Sequence, residues 1–298
     1  MSDRGEGRDR FSGRRALVTG GGSGIGRSLA LELADRGCAV AIADLDVEAA
    51  RRVAAEIGPR ARAFACDVAR HDEVEALAAA VEAAFGAPVD LVFANAGVML
   101  GRPVLKATVA EVDWVMGVNF RGSWSTLSVF ARRMIASGTD GWLCLTASEH
   151  ALGMQHAGAG LYTASKHALL GMADVLRAEL PPAIGISVFC PGLVSTGLPL
   201  TQRLAPVPSD PAREDFAKEV QSRGMDPREA ASACLDGVGR GDFLIVTHAI
   251  SARAAEARAR DVAGAFAAQA PMDAEASRYD VNAVIAAVAA ERARPGTR

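Results

Sequence analysis

The chain has 298 residues, half of them hydrophobic and 22% charged, with a formal net charge of −3. That length suits one large α/β domain with a full core, and the slightly acidic balance offers no global field for nucleic acid. No apolar stretch approaches the roughly 18 residues needed to cross a bilayer, so the sequence predicts a soluble protein with no membrane partner.

The first residues, "MSDRGEGRDRFSGRR", are charged and lack an apolar h-region, so residues 1–12 read as a disordered solvated tail and not as a secretion signal. From there short apolar runs alternate with longer helical patterns. The runs are "RALVTG", "CAVAIAD", "ARAFACD", "VDLVFANAG", "GWLCLTAS", "GISVFCPG" and "DFLIVTH". Each is continuous, as in strands covered on both faces of a parallel sheet. Between them Arg70 to Phe85 and Trp114 to Ala136 are amphipathic. The pattern predicts a Rossmann-type, doubly wound parallel α/β sheet of about seven strands with helices on both faces. Residues 13–250 form a single catalytic domain in this reading, and the Ala/Arg/Glu-rich residues 251–298 a helical C-terminal extension. The Pro-rich insert "LPLTQRLAPVPSDPARED" is expected to be weakly ordered. Five cysteines, widely spaced and without a C-x-x-C pair, fit a reduced, cytoplasmic protein with no metal site.

The first strand-to-helix junction, "TGGGSGIG", has five glycines in the seven positions 20–26. A glycine-rich loop opening a helix at about Ile25 directs backbone N–H groups at an anion. It fails the pattern G-x-G-x-x-G because Ile25 stands where glycine is needed. It nearly satisfies the phosphate loop G-x-x-x-x-G-K-[ST] through Gly21, Gly26 and Ser28, with Arg27 in place of the lysine. Asp44, at the end of the second strand, discriminates between the two, because a carboxylate there accepts ribose hydroxyls and repels a 2′-phosphate. Asp46 is the better placed to cap the following helix. This combination points to NAD, with NADP disfavoured by Asp44.

Farther on, "YTASK" places Tyr162 and Lys166 one helical turn apart on one face. An ammonium beside a phenol stabilises the phenolate. A depression of two or three pKa units asks for roughly 3–4 kcal/mol from the lysine and a cationic nicotinamide together.

With these residues in register, residues 14 to 248 resemble the short-chain dehydrogenases/reductases. Thr19-Gly20-x-x-x-Gly24-Ile25-Gly26 is similar to that family's own glycine motif, Cys66-Asp67-Val68 to its adenine-contacting segment, and Asn95-Ala96-Gly97 to its "NAG". Asn119, Ser148, Tyr162 and Lys166 match its catalytic tetrad in order. Pro191-Gly192-x-Val194-x-Thr196 resembles the segment that holds the nicotinamide carboxamide. The resemblance assigns cofactor contacts to Gly20, Ser23, Gly24, Ile25, Gly26, Asp44, Asp67, Val68, Asn95, Gly97, Tyr162, Lys166, Pro191, Gly192, Val194 and Thr196. It implies an oxidoreductase that interconverts a secondary alcohol and a ketone. Tyr162 exchanges the hydroxyl proton, Ser148 holds the same oxygen, Lys166 lowers the phenol's pKa, and Asn119 supports a proton relay through its backbone and a water.

The resemblance further implies a substrate loop at about 193–227. Leu193, Leu198, Leu200 and Met225, with Met154 and Leu161 beside the catalytic turn, suggest an apolar pocket for a cyclic or aromatic substrate. Glu149 and His150 are expected to point into solvent. A homodimer or homotetramer is implied. Two other readings are a nucleotide hydrolase of the phosphate-loop kind, which leaves Asp44 and the Tyr162/Lys166 pair unexplained, and a non-catalytic NAD-sensing scaffold, which would be expected to have lost a tetrad residue.

Overall fold

The computed structural model describes residues 10–207, 211–272, 276 and 278–293. Residues up to Ala252 form one compact unit and those from Arg253 onward a second. The first unit alternates β1 (Arg15–Thr19), α1 (Gly24–Asp35), β2 (Ala39–Asp44), α2 (Val47–Ile57), β3 (Ala61–Ala65), α3 (His71–Phe85) and β4 (Leu91–Ala94). It continues with α4 (Val109–Met116), α5 (Ser123–Ser137), β5 (Gly141–Thr146), α6 (Gly160–Glu179), β6 (Ile184–Cys190), α7 (Pro211–Gln221), α8 (Pro227–Arg240) and β7 (Leu244–Val246).

The seven strands form one parallel sheet in the order β3-β2-β1-β4-β5-β6-β7. The seven apolar runs of the sequence supply its strands, because each strand sends alternate residues to two cores. Leu17, Leu143 and Leu145 join Leu77, Phe130 and Leu169 on the face covered by α3, α5 and α6. Ala16, Val18 and Trp142 join Leu29, Val53 and Leu235 on the face covered by α1, α2 and α8. Chain order reverses between β1 and β4, and the crevice beyond the carboxyl ends of those strands is where such sheets take ligands.

The N-terminal boundary lies earlier than the sequence suggests. Residues 1–9 are outside the described region, but Arg10 to Ser12 are not a solvated tail. Phe11 is buried in the second core. Arg10 lays its guanidinium 4.3 Å from the centre of the Trp142 ring and donates to the Gly239 carbonyl at 3.0 Å. One aromatic anchor and a cation over an indole outweigh the local charge pattern.

The Pro-rich insert is likewise more ordered than expected. A 3-10 turn spans Leu198–Leu204, and α7 follows the undescribed residues 208–210. The turn is pinned to the loop after β4: Met99 N–H donates to Thr201 Oγ1 at 3.0 Å, and Gly101 N–H to Gln202 Oε1 at 3.0 Å.

Asp90, 2% exposed just before β4, ties that strand to β1. Its carboxylate accepts from the Arg15 backbone N–H at 2.8 Å, from Arg15 Nε at 2.8 Å and Nη2 at 2.7 Å, and from Arg14 Nη1 at 3.3 Å. Asp90→Ala is expected to cost about 3 kcal/mol, because it strands a backbone donor and a partly buried guanidinium. A urea titration should show the midpoint falling with an unchanged slope, and an unchanged midpoint would contradict this account.

The second unit contains most of α9 (Ser251–Gln269) and all of α10 (Val281–Arg292). Asp280 caps α10, its side chain accepting from the Asn282 and Ala283 N–H groups. Val262, Phe266, Val281, Val284, Ile285 and Val288 in these helices are exposed.

Candidate active site

The loop after β1 is shaped by what its glycines leave out. Gly20 has φ +62, and a Cβ there would lie 2.8 Å from the Ala96 Cα. At Gly26 a Cβ would lie 2.0 Å from the Gly20 carbonyl oxygen and 2.6 Å from Asn95 Nδ2. Helix α1 therefore begins against the loop itself. Its cap residue Ser23 makes no side-chain bond to the helix, which leaves the first-turn N–H groups open toward the crevice. Arg27 pairs at the surface with Glu56 at 2.6 Å, away from any phosphate-gripping role.

Asn95 joins three strand ends. Its Nδ2 donates to the Thr19 and Gly20 carbonyls at 3.2 and 3.4 Å, and its Oδ1 accepts from Thr146 Oγ1 at 3.1 Å. Thr19 Oγ1 in turn accepts from the N–H groups of Asn95 and Ala96. Asp46 caps α2 by accepting from Ala49 N–H at 3.0 Å. Asp44 is not left free by that cap: it accepts from Gly22 N–H at 2.9 Å and from Asp46 N–H at 3.0 Å. A carboxylate has about four acceptor sites, so about two remain, and Asp44 faces the crevice with them.

The expected helix from Trp114 to Ala136 is interrupted by a π turn, Gly117–Gly122, between α4 and α5. A Cβ on Gly122 would lie 2.7 Å from Val68 Cγ2, so the helix approaches the strand-end segment Asp67-Val68 closely at that point. Asn119 sits in the turn, fully buried. Its Oδ1 accepts from Val98 N–H at 2.8 Å, while its Nδ2 donates to the Val98 carbonyl at 3.0 Å and to Ser165 Oγ at 2.9 Å. Its side chain thus clamps the loop after β4 to α6 and does not line the crevice.

Tyr162 and Lys166 lie on the buried face of α6, and Ser148 ends the segment after β5. The Ser148 hydroxyl lies near enough to the Tyr162 phenol to favour its ionised form. Lys166 Nζ donates to the Thr146 carbonyl at 2.8 Å and lies 5.4 Å from the centre of the Tyr162 ring. The sequence reading asks the lysine and a cationic nicotinamide together to lower the phenol's pKa; in the protein alone burial raises it to about 12 against the neighbouring Ser148 hydroxyl, with Glu149 and Cys190 adding to the rise. Burial also brings the Lys166 ammonium down to about 8. Desolvation acts against both charged forms.

Glu149 and His150 do not point into solvent. His150 is buried, its ring edge-on to Tyr162 at 5.2 Å between centres, and its Nδ1 lies 2.7 Å from Thr163 Oγ1. Burial, then the neighbouring His156, His167 and Lys166, holds its pKa down to about 4, so the ring is neutral. Glu149 is half-buried and accepts from Ser251 Oγ. The 3-10 turn that Ser148 caps folds both residues back toward α6, and local polarity could not reveal that.

These parts enclose one crevice of about 620 Å³, running from Asp44 and Leu45 to Ser148, Tyr162 and Lys166. All the residues to which the resemblance assigns cofactor contacts line it. Of the expected substrate residues Leu198 does, whereas Met154, Leu161, Leu193, Leu200 and Met225 do not. Leu193 is turned outward and Met225 packs on the second core, because the pair Val194↔Met225 bridges the ends of the loop and alternation sends Val194 inward instead. The sequence reading also misses Asp113, Trp114 and Arg121 from the π-turn region, Thr201 from the insert and Gln221 from the end of α7. Gln221 Nε2 donates to the Val194 carbonyl and to Thr196 Oγ1. Among the described residues no cluster of three or more His, Cys, Asp or Glu is placed to hold a metal ion, and no helix is long and apolar enough to cross a membrane.

A family model described as short chain dehydrogenase matches residues 14–204. The chain is 34% identical over 233 residues to a 2,5-dichloro-2,5-cyclohexadiene-1,4-diol dehydrogenase of Sphingobium indicum, covering 76% of this chain and 89% of that protein. It is 30% identical over 249 residues to a C alpha-dehydrogenase of a Sphingobium species, covering 80% and 81%. Among solved structures, a short chain dehydrogenase/reductase from Burkholderia phymatum in complex with NAD is similar, with TM-score 0.81, 28% identity, and 89% and 99% of the two chains covered.

Proposed function

The chain belongs to the short-chain dehydrogenase family, and from that premise we propose an NAD-dependent oxidoreductase that interconverts a secondary alcohol and a ketone on a hydrophobic cyclic or aromatic substrate. The observation that carries the reading is the buried Ser148–Tyr162–Lys166 group at one end of a crevice whose other end is floored by glycines and bounded by Asp44.

The residues fit a nicotinamide dinucleotide. Gly20, Gly24 and Gly26 leave a floor without side chains beside open helix N–H groups, and Asp44 offers its remaining acceptor sites to ribose hydroxyls. Bound there, the oxidised cofactor supplies the hydride acceptor and a positive charge. Tyr162 exchanges a proton with the substrate oxygen, and Ser148 donates a second hydrogen bond to that oxygen. Lys166 keeps two N–H donors beyond the one given to Thr146, enough for the nicotinamide ribose. In the carbonyl-reducing direction the phenol of Tyr162, protonated at neutral pH, is already the proton donor.

The dehydrogenases on cyclic and C-alpha alcohols among the relatives support the substrate class. Incubating the protein with NAD and a panel of alicyclic and aryl secondary alcohols, followed at the nicotinamide absorbance, tests it directly; no reduction with any of them, in either direction, would refute it. Asp44 supports NAD over NADP. In a fluorescence titration NADH should bind more tightly than NADPH, with the preference shrinking in Asp44→Ala, and tighter binding of NADPH to the unaltered protein would overturn that assignment.

Two further parts of the proposal are a homo-oligomer and a reduced, cytoplasmic setting. The first rests on Trp124, Ile135 and Val175, apolar and exposed on α5 and α6. The second rests on five free, buried cysteines, with Cys144 and Cys234 unbonded at 3.8 Å.

A further inference from the structure

Strand pairing between β6 and β7 stops at Cys190↔Val246, and the next residue, Pro191, has no N–H with which to continue it. A side chain takes over where the backbone stops. Gly192 N–H donates to His248 Nδ1 at 3.2 Å, and His248 Nε2 lies 3.1 Å from the Leu193 carbonyl oxygen. One imidazole therefore bridges the N–H of one residue and the C=O of the next.

These contacts set where the ring carries its proton. A carbonyl can only accept, so Nε2 carries the hydrogen; the Gly192 N–H can only donate, and of its two acceptors His248 Nδ1 at 3.2 Å is nearer than Thr247 Oγ1 at 3.4 Å, so Nδ1 presents its lone pair. Thr247 Oγ1, 2.7 Å from Nδ1, then donates to the same lone pair. Gly192 has no side chain because the ring occupies its place: a Cβ there would lie 2.5 Å from His248 Cγ and 2.8 Å from Glu149 Oε2. The groups gathered at this point from neighbouring elements are Glu149, from the turn after β5, and Thr247. Of these Glu149 alone is charged, and it is engaged by Ser251.

We propose that His248, held as the Nε2–H tautomer, is a positioning residue that sets the Pro191-Gly192-Leu193 segment, of which Pro191 and Gly192 line the crevice. The inference rests on the reading that this turn borders the nicotinamide end of a dinucleotide site. Removing the ring would leave the Leu193 carbonyl without its side-chain donor and the Gly192 N–H without its nearer acceptor, and so loosen the turn.

Two variants and two readouts test this. Imidazole ¹⁵N spectra of histidine-labelled protein, with the His248 signals identified by their loss in His248→Gln, should show a protonated Nε2 and an unprotonated Nδ1 at neutral pH. NADH titrations should give His248→Ala an affinity about tenfold weaker, the worth of one well-made hydrogen bond. His248→Gln, which keeps an acceptor and a donor, should recover most of that loss. A protonated Nδ1 at neutral pH overturns the inference, as does a His248→Ala protein that binds NADH like the unaltered one. If the unaltered protein binds neither NADH nor NADPH, the dinucleotide reading of the crevice fails and the positioning role fails with it, whatever tautomer the spectra show.

Discussion

Replacing Tyr162 by Phe is expected to lower turnover roughly a thousandfold, the contribution of a positioned proton donor or acceptor, while NADH affinity stays within a few-fold of the unaltered protein's. The substitution removes one oxygen from a ring that is 7% exposed and packed edge-on against His150, so the fold has no reason to change. Because burial sets the phenol's pKa at about 12, the fraction ready to accept a proton grows about tenfold per pH unit through the neutral range. Alcohol oxidation should therefore rise with pH and carbonyl reduction should not, and the Phe variant should lose the rising limb. Stopped-flow or steady-state rates at several pH values check this, and a near-normal rate in Tyr162→Phe would remove the tyrosine from the chemistry.

The second large effect is at Gly26. A methyl there would meet the Gly20 carbonyl oxygen at 2.0 Å and Asn95 Nδ2 at 2.6 Å, and neither can retreat. The carbonyl belongs to the loop's backbone, and the amide joins the ends of β1, β4 and β5. Gly26→Ala must push α1 off the loop by about 1 Å or more, a displacement that costs about a hundredfold when it moves a bound reactant. We expect kcat/KM to fall by about that factor, mainly through weaker cofactor binding. Gly264→Ala, where nothing lies within 4 Å of the added methyl, should leave catalysis unchanged, and a Gly26→Ala protein that binds NADH normally would show that the loop yields after all.

The parallel sheet is legible in the sequence because its cause is local. A strand covered on both faces must be apolar throughout, and "CAVAIAD" or "GISVFCPG" states that without reference to the rest of the chain. The glycine loop and the Tyr162/Lys166 pair are legible for a similar reason, since spacing alone sets which groups share a turn. What escaped is long-range. Arg10 and Phe11 are ordered by Trp142 and the second core, Thr201 and Gln202 by a loop about a hundred residues earlier, and His150 by Thr163 on α6. In each case a polar or charged stretch is recruited by partners that no window of sequence contains. Met154, Leu161, Leu193 and Met225 lie outside the crevice for the opposite reason: apolarity near a site does not say which face of a loop looks inward. For the tyrosine's pKa, the sequence shows the ammonium four residues away but not the burial that acts on both groups in the protein alone.

The π turn at Gly117–Gly122 can also be described as a phase shift. A regular helix advances 100° per residue, so one surplus residue turns everything downstream by more than a quarter of a revolution relative to everything upstream. With that rotation, Asp113, Trp114, Gly117, Val118 and Arg121 look into the crevice while Asn119 between them looks back at Val98 and Ser165. Two surfaces with different duties are thereby served by one continuous rod. The same arrangement makes the length of this segment as constrained as its composition: chain could be added or lost in the turns that end the rod, but a single residue lost within these six would set the clamp and the crevice wall out of step.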